Sequence, residues 1–112
     1  MEKLKPHYDL KKVKSLLCSE ETRDVTRTSR EGAVSLGYMD VEDMVSIVEI
    51  LTPKHFFKSM TNQHNPRLWQ DVYKIGDERD KRDNRIYIKL QLSSDKRKAV
   101  IIQFKEDTGG GD

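Results

Sequence analysis

The sequence contains a single cysteine, Cys18, which cannot close a disulfide within the chain. Small secreted domains usually carry several cysteines, so that class of protein is not indicated. A zinc site is not indicated either, because it needs cysteine pairs or closely spaced histidines, and the three histidines lie far apart in the sequence. A glycine-rich phosphate loop between a strand and a helix is also missing. We therefore expect no metal and no cofactor.

Long apolar runs are missing as well. Residues 1–9 are charged and lack the apolar core of a signal peptide. No stretch approaches the roughly 20 apolar residues that a membrane helix needs. We expect a soluble protein of the cytoplasm that does not associate with a membrane.

Charge, in contrast, is abundant. Of the 112 residues, 36% are charged and 35% are hydrophobic, which predicts one compact domain with a lean core. The 21 basic and 19 acidic side chains nearly balance, leaving a net charge of +2. Overall charge therefore does not predict nucleic-acid binding, and a basic site has to arise from local clustering of lysine and arginine.

Hydrophobic periodicity predicts helices in the first half of the chain. Residues 7–17 place apolar side chains at helical spacing, with lysines on the other faces. Thr28 or Ser29 can cap a second helix that ends near residue 36. Asp40 is a suitable cap for a third helix. Its buried stripe is predicted to consist of Val41, Met44, Val45, Val48 and Leu51.

Two further segments are assigned from local signals. A capping hydroxyl at Thr52 followed by Pro53 is typical of a helix start, so we predict a short helix from there to about residue 60. Residues 23–27 have Val25 as their only strong apolar residue and could form an edge strand.

The second half of the chain is predicted to be extended. Residues 68–74, 86–92 and 99–105 read as strands, the last two with clear apolar alternation. The charged residues 76–85 are predicted to form a mobile hairpin loop, and the glycine-rich residues 108–112 a disordered tail. Helices followed by antiparallel strands are typical of an α+β domain, here residues 1–107, with the helices on one face of the sheet.

The other face of the sheet is then open. Side chains alternate between the two faces of a strand, and neighbouring strands lie about 5 Å apart, so polar groups from different strands can share one surface. The simplest interpretation of that surface is an ordinary solvated face. The side chains predicted to face the helices are Ile86, Ile88, Leu90, Leu92, Val100, Ile102 and Phe104, and those predicted to face away are Tyr87, Lys89, Gln103 and Lys105.

Two runs of residues carry a family resemblance. Residues 57–61 read FKSMT and residues 68–73 read LWQDVY. Together they resemble the MqsR family of bacterial toxins. Residues 1–17, residues 40–51, IYIKL at 86–90 and IIQFKED at 101–107 are similar to that family too, so the resemblance covers about residues 1–107. It implies a RelE-like fold, with helices packed on one face of a small, mainly antiparallel sheet.

The resemblance also implies a function, namely the toxin half of a toxin–antitoxin pair in the bacterial cytoplasm. Such toxins are messenger-RNA endonucleases that cut single-stranded mRNA, at GCU-like sites in this family, and so inhibit translation and growth. The expected partners are the mRNA substrate and an MqsA-like antitoxin, which contains zinc and a helix-turn-helix. Contact with DNA is expected only through that antitoxin.

The catalytic residues proposed for the family fall on Lys58, Gln70, Tyr87 and Lys105. The implied reaction needs no metal: the 2′-OH attacks the phosphate and leaves a 2′,3′-cyclic phosphate and a 5′-OH. Both lysines can bind phosphate oxygens, Tyr87 can donate a proton or stack on a base, and Gln70 can hydrogen-bond a phosphate or a base edge. The assignment of general acid and base among Lys58, Tyr87 and Lys105 stays open.

This sequence departs from the family pattern in three ways. Phe57 stands where a tyrosine can occur, Lys74 stands where an arginine can occur, and the loop at 76–85 and the C-terminal tail look extended. Two other functions are considered. One is a catalytically inactive module that still binds its antitoxin. The other is a DNA-binding transcriptional regulator, which the sequence disfavours because no helix is strongly basic.

Overall fold

The computed structural model describes residues 1–78 and 84–109. Within these residues the chain forms three α-helices and six strands. No helix in this part is long and apolar enough to cross a membrane. The elements are β1 (Glu2–Lys3), α1 (Leu10–Leu17), β2 (Arg23–Val25), α2 (Arg27–Ser35), α3 (Val41–Glu49), β3 (Phe56–Thr61), β4 (Trp69–Asp77), β5 (Asn84–Leu92) and β6 (Ala99–Glu106).

The six strands form one sheet in the order β1-β3-β4-β5-β6-β2. The four pairs β1–β3, β3–β4, β4–β5 and β5–β6 are antiparallel. The short β2 lies parallel to β6 at one edge, so the sheet is mixed. Its position confirms the edge strand predicted near residue 25. Helices packed beside a largely consecutive set of strands agree with the predicted α+β class.

The helices begin where a side chain can cap them. Asp9, Thr26 and Asp40 accept hydrogen bonds from backbone N–H groups in the first turns of α1, α2 and α3, at 3.0, 3.1 and 2.9 Å. The cap predicted at Asp40 is therefore confirmed. The other two helices begin away from the predicted positions: α1 begins at Leu10 rather than at residue 7, and α2 begins at Arg27 because Thr26 takes the capping role.

The helix predicted from residue 53 to about residue 60 is wrong. Thr52 does cap a turn, with His55 Nδ1 accepting from the Thr52 N–H at 2.9 Å, but this turn is a 3₁₀ helix that ends at His55. The next residues form β3 instead. Local start signals are weak compared with the hydrogen bonds and side-chain packing that β3 gains from pairing with both β1 and β4.

The predicted alternation on β6 is wrong at two positions. The pairing of β5 with β6 shifts register once, which leaves Ile102 as an extra residue in a β-bulge. Phe104 lies in the core as predicted, but beyond the bulge Ile101 and Ala99 are the buried residues. Val100 and Ile102 are only half-buried, since the extra residue turns the side chains before it, at positions 99–101, to the faces opposite to those predicted.

The segment predicted as a loop at 76–85 is shorter in the structure. β4 extends to Asp77 and β5 begins at Asn84, with Gly76 paired to Arg85. Residues 79–83 of the predicted loop and residues 110–112 of the predicted tail lie outside the described residues. The ends of β4 and β5 at this loop consist mainly of charged and polar residues and glycine, which give no hydrophobic signal. The sequence pattern therefore predicts both strands to be shorter than they are.

The hydrophobic core lies between the helices and one face of the sheet. Every one of its largest fully buried side chains comes from a helix, from the segment after α3 or from strands β4 to β6. Those of aliphatic character include Leu17, Met44, Ile47, Val48, Leu51, Ile86, Ile88, Leu90 and Ile101.

Helix α2 lies directly against the backbone of β6 at Gly32. A Cβ atom at this position would lie 2.1 Å from the carbonyl oxygen of Phe104, and the obstacle is backbone. The helix can lie this close only because glycine has no side chain. The contact fixes α2 against the strand that carries Lys105.

We expect Gly32→Ala to lower the free energy of unfolding by about 2 kcal/mol or more, because helix and strand must separate. This outweighs the roughly 1 kcal/mol by which alanine favours a helix over glycine. Urea denaturation checks the result. Gly76→Ala is the matched control, since its Cβ would meet nothing nearer than 3.9 Å. A Gly32→Ala protein as stable as the parent would contradict this packing.

Candidate functional site

The sheet face opposite the helices carries a cluster of lysines, aromatic rings and amides. We call this surface the open face. Its members come from β3, β4, β5 and β6 and include four nearly buried side chains: Lys58 is 6% exposed, Gln70 5%, Tyr87 3% and Gln91 8%. The polar and aromatic residues of the open face include Phe57, Lys58, Gln70, Lys74, Tyr87, Lys89, Gln91 and Lys105, and Val72 and Val100 lie between them.

Tyr87 lies at the centre of the lysines. Lys105 is its direct partner on β6, and Lys74 is its direct partner on β4. The Lys105 Nζ atom lies 4.8 Å from the centroid of the Tyr87 ring, and Lys89 Nζ lies 5.9 Å from it. Ammonium groups at such distances are attracted to an aromatic ring. The Tyr87 ring therefore lies close to one cation of its own strand, Lys89, and one of the neighbouring strand β6, Lys105.

Lys58 reaches the open face from β3, where a register shift at Phe57 produces a β-bulge. Its Nζ atom lies 2.7 Å from Glu2 Oε2 on the neighbouring strand β1. The bulge also places the Phe57 ring between two cations, 4.0 Å from Lys74 Nζ and 5.5 Å from Lys58 Nζ. Lys74 in turn pairs with Asp107 at 3.4 Å.

Gln70 and Gln91 form one end of the open face. The Gln70 Nε2 group donates a hydrogen bond of 2.9 Å to Gln91 Oε1, and both side chains are buried. A hydrogen bond between two buried amides fixes the orientation of both. Gln70 is thus presented as a pair with Gln91 rather than as a single polar group.

The other face of β4 anchors the N-terminal segment through Asp71. This carboxylate is 2% exposed. It accepts hydrogen bonds from the backbone N–H groups of His7 and Tyr8 at 3.0 and 2.9 Å, and from Ser59 Oγ at 2.6 Å. These bonds tie the chain that follows β1 to the β3–β4 pair. The same attachment keeps Glu2 beside Lys58 on the opposite face.

The four residues singled out in the sequence therefore lie on one face of the sheet. Tyr87 and Lys105 are cross-strand neighbours, Lys58 lies two strands from Tyr87, and Gln70 lies towards the far end. Sequence reasoning did not assign a role to Glu2 or to Lys74. Alternation along β4 could have placed Lys74 with Gln70, but no local signal relates Glu2 to Lys58, because their contact depends on strand pairing.

Other kinds of chemistry find less support in the described residues. They contain no group of three or more His, Cys, Asp or Glu side chains that could hold a metal ion. Cys18 lies at the end of α1, away from the open face, and its Sγ lies 2.8 Å from Glu49 Oε1. That hydrogen bond, with a smaller effect from burial, raises the pKa of the thiol and disfavours the reactive thiolate.

Comparison with known proteins places the chain in a family. The model of the family described as "Motility quorum-sensing regulator, toxin of MqsA" matches residues 5–106. The chain belongs to this family. A curated relative, the mRNA interferase toxin MqsR of Escherichia coli (strain K12), is 33% identical over 106 residues, covering 95% of this chain and 99% of that protein. The match thus includes every residue of the open face.

The two runs that carry the family resemblance, residues 57–61 and 68–73, each contribute side chains to both faces of the sheet. In the FKSMT run, Phe57 and Lys58 point to the open face and Ser59 points to Asp71. In the LWQDVY run, Gln70 points to the open face while Asp71 holds the N-terminal segment. In each run, some side chains therefore contribute to the open face, while others form the hydrogen bonds that hold the N-terminal segment.

The Asp71 attachment gives a stability prediction. Asp71→Asn keeps the size of the side chain but replaces one acceptor oxygen by an N–H₂ group that faces donors. We expect the free energy of unfolding to fall by about 2 kcal/mol, since buried donors lose a charged acceptor. Urea denaturation measures the loss, and hydrogen exchange should become faster at the His7 and Tyr8 amides. Asp24→Asn, at an exposed carboxylate, is the matched control. Unchanged exchange at both amides would contradict the attachment.

Proposed function

We propose that this chain is the toxin of a type II toxin–antitoxin system and acts as a metal-independent, sequence-specific endoribonuclease on single-stranded mRNA. One observation carries the proposal. A member of the MqsR toxin family presents Lys58, Gln70, Tyr87 and Lys105 together on one open sheet face. The relative in Escherichia coli is an mRNA interferase by name.

The chemistry that such a face supports is transfer of a phosphate within the RNA. The 2′-oxygen of the ribose forms a bond to the neighbouring phosphorus, and the bond from that phosphorus to the 5′-oxygen breaks. A base on the enzyme takes the 2′-OH proton, and an acid gives a proton to the departing 5′-oxygen. The products are a 2′,3′-cyclic phosphate and a 5′-OH end, and no electrons are exchanged with a cofactor.

The lysines stabilise the negative charge that develops during this reaction. The pentavalent phosphorus intermediate carries extra negative charge on its oxygens, and preorganised cations in a poorly hydrated site stabilise it strongly. Lys58 is nearly buried, and Lys105 lies against the Tyr87 ring, so both are held in place before RNA binds. Lys74 and Lys89 add positive charge on either side of them.

Proton transfer falls to Lys58, Tyr87 and Lys105. None of the three histidines lies on the open face: His7 is in the N-terminal segment, His55 is in the 3₁₀ helix, and His64 is in the loop before β4. The face therefore lacks the imidazole that many nucleases use. The pH dependence of cleavage by single variants would separate the acid from the base among the three.

We assign recognition of the RNA sequence to the end of the open face that Gln70 and Gln91 form, which we call the amide end. Bases of unpaired RNA can be splayed out, stacked on aromatic rings and read at their edges by hydrogen bonds. Gln70 and Gln91 present oriented amides there, and Phe57 and Tyr87 supply rings. The family resemblance favours a GCU-like cleavage motif and a RelE-like arrangement of the fold.

The cellular setting follows from the family. The family description names this type of protein as the toxin of MqsA. We therefore assign the chain an MqsA-type antitoxin, containing zinc and a helix-turn-helix, through which contact with operator DNA is made. Uncontrolled mRNA cleavage in the bacterial cytoplasm would inhibit translation and stop growth.

The decisive experiment is primer extension on a defined transcript with EDTA present. The parent protein should make discrete cuts that leave 2′,3′-cyclic phosphates. We expect Lys58→Ala and Lys105→Ala each to lower the cleavage rate by about 100-fold or more, since each removes a preorganised charge. Tyr87→Phe tests the phenol group. Lys12→Ala, which removes an equal charge from the helical side, should cut at the parental rate.

Two results would contradict this function. Cleavage that requires added metal would exclude the proposed chemistry. A parent protein that binds its antitoxin but never cuts RNA would instead identify an inactive antitoxin-binding module. Growth arrest on expression, lost in Lys105→Ala, would separate an active toxin from such a module inside cells.

A further inference from the structure

A recess lies at the end of the sheet near Gln70 and Gln91, on the side of the strands that faces away from the open face. The N-terminal segment, the loop between β3 and β4 and the turn between β5 and β6 surround it. Its volume is about 380 Å³, which is within the range of roughly 300–1,000 Å³ that is usual for small-molecule sites. We call it the end cleft. Six of its lining residues matter here: His7, Tyr8, Arg67, Leu68, Leu92 and Lys96.

One wall of the end cleft is aromatic and held in place. The His7 ring stacks on Trp69 with centroids 5.5 Å apart and planes 19° apart, and Tyr8 meets the His7 ring edge-on at 4.8 Å. The Tyr8 hydroxyl donates to the Trp69 carbonyl oxygen at 2.6 Å. Asp71 fixes the backbone of both His7 and Tyr8. The imidazole is therefore positioned before any ligand arrives.

The surroundings of this wall are basic. Arg67 and Lys96 line the end cleft, and none of the described residues lining it is Asp or Glu. Lys3 lies behind the wall, with its Nζ 4.1 Å from the Trp69 ring centroid and 2.9 Å from His7 Nδ1. Asp95 is the acidic residue of the adjoining turn, and its Oδ1 is occupied within that turn by the Ser93 hydroxyl and the Arg97 N–H.

The electrostatic effect of these cations shows at His7. Its pKa is lowered first by burial and then by Lys3, with a smaller contribution from Lys96, while Asp71 acts in the opposite direction. A neutral imidazole is a flat ring without the ammonium-like charge of the protonated form. It can therefore stack on a planar ring while the charged contacts are made by its neighbours.

Lys96 occupies a backbone conformation that favours glycine. Its φ is 62°, and it is the one non-glycine residue with positive φ in residues 1–78 and 84–109. A lysine in this left-handed region is less stable than glycine would be. Strained conformations of this kind are often found at binding sites. Here the strained residue is Lys96, whose side chain lines the end cleft.

We propose that the end cleft binds one nucleotide of single-stranded RNA outside the scissile bond, its base stacking on His7 and its phosphate contacting Arg67 and Lys96. This deepens the proposed function and rests on it. The Gln70–Gln91 pair lies at the same end of the sheet but on the open face, whereas Trp69 and Leu92 turn to the helix side. An RNA strand on the open face would therefore reach the end cleft around the ends of the strands. From Tyr87 to Leu92 the strand covers roughly 17 Å at about 3.3 Å per residue, so the bound nucleotide flanks the reacting phosphate instead of carrying it.

Binding is measured with a labelled RNA oligonucleotide that carries 2′-O-methyl groups and cannot be cut. Trp69 is the only tryptophan in the chain and contacts His7, so its fluorescence should change when the cleft fills. We expect His7→Ala to weaken binding about tenfold through lost stacking. Arg67→Gln and Lys96→Asn should each weaken it several-fold and reduce its dependence on salt, since each removes a phosphate contact. Asparagine tolerates the positive φ at position 96.

Arg97→Gln is the matched control, because Arg97 belongs to the same turn but does not line the end cleft. Parental affinity in Arg67→Gln and Lys96→Asn would overturn the proposal. It would also be overturned if these variants lost affinity for the antitoxin and kept it for RNA, since the cleft would then be a protein-binding surface. Equally tight binding of adenosine monophosphate and of the oligonucleotide would also overturn the proposal, because the cleft would then be a site for a free nucleotide.

Cleavage kinetics keep this proposal separate from the proposed function. In an active enzyme the end-cleft variants should raise KM for a long transcript more than they lower kcat, because they act on binding of a flanking nucleotide. A parent protein that cuts no RNA would refute the proposed function alone. Binding of the 2′-O-methyl oligonucleotide would then still decide whether the end cleft holds RNA.

Discussion

The structure depends on one buried carboxylate. Asp71 is almost completely enclosed, and its oxygens accept hydrogen bonds from two successive backbone amides of the N-terminal segment and from a hydroxyl on β3. A buried charge is tolerable only when it is satisfied in this way. Three separate parts of the sequence are thereby joined at one point of β4. The open face and the end cleft are both built from residues close to that point.

The two residues before Asp71 lie on opposite faces of β4. Gln70 turns to the open face and meets Gln91, while Trp69 turns to the other side and supports His7. Lys58 lies one residue before Ser59 and acquires Glu2 as its partner because the N-terminal segment is held nearby. Period-two alternation thus lets a single short motif organise an open basic face and an aromatic cleft at its end.

Much of the open face could be predicted without the structure. Alternation alone placed Tyr87, Lys89 and Lys105 on the side away from the core, because each lies in a strand with strong apolar neighbours. The same rule failed at Ile102, where a bulge adds a residue that no periodic pattern reveals. Lys58 was assigned to a helix because Thr52 and Pro53 do start a turn. Only the pairing of β3 with two other strands shows that the turn stops after three residues.

The remaining features are non-local. The ion pair of Lys58 with Glu2 joins residues 56 positions apart, and the bond from Tyr8 to Asp71 spans 63 positions. Such contacts follow from strand order, which hydrophobic patterns do not encode. The family resemblance identified the four candidate catalytic residues. The structure shows the side chains that surround them on the same surface: Glu2, Phe57, Lys74 and Gln91.

The central claim is that RNA lies on the sheet face away from the helices. It is tested most directly by nuclear magnetic resonance, following the backbone amide signals of the isotope-labelled protein as an RNA that cannot be cut is added. The account predicts that signals on β3 to β6 shift, with the largest changes around Lys58, Gln70, Tyr87 and Lys105. Shifts confined to α1, α2 and α3, with the strand signals unmoved, would contradict it.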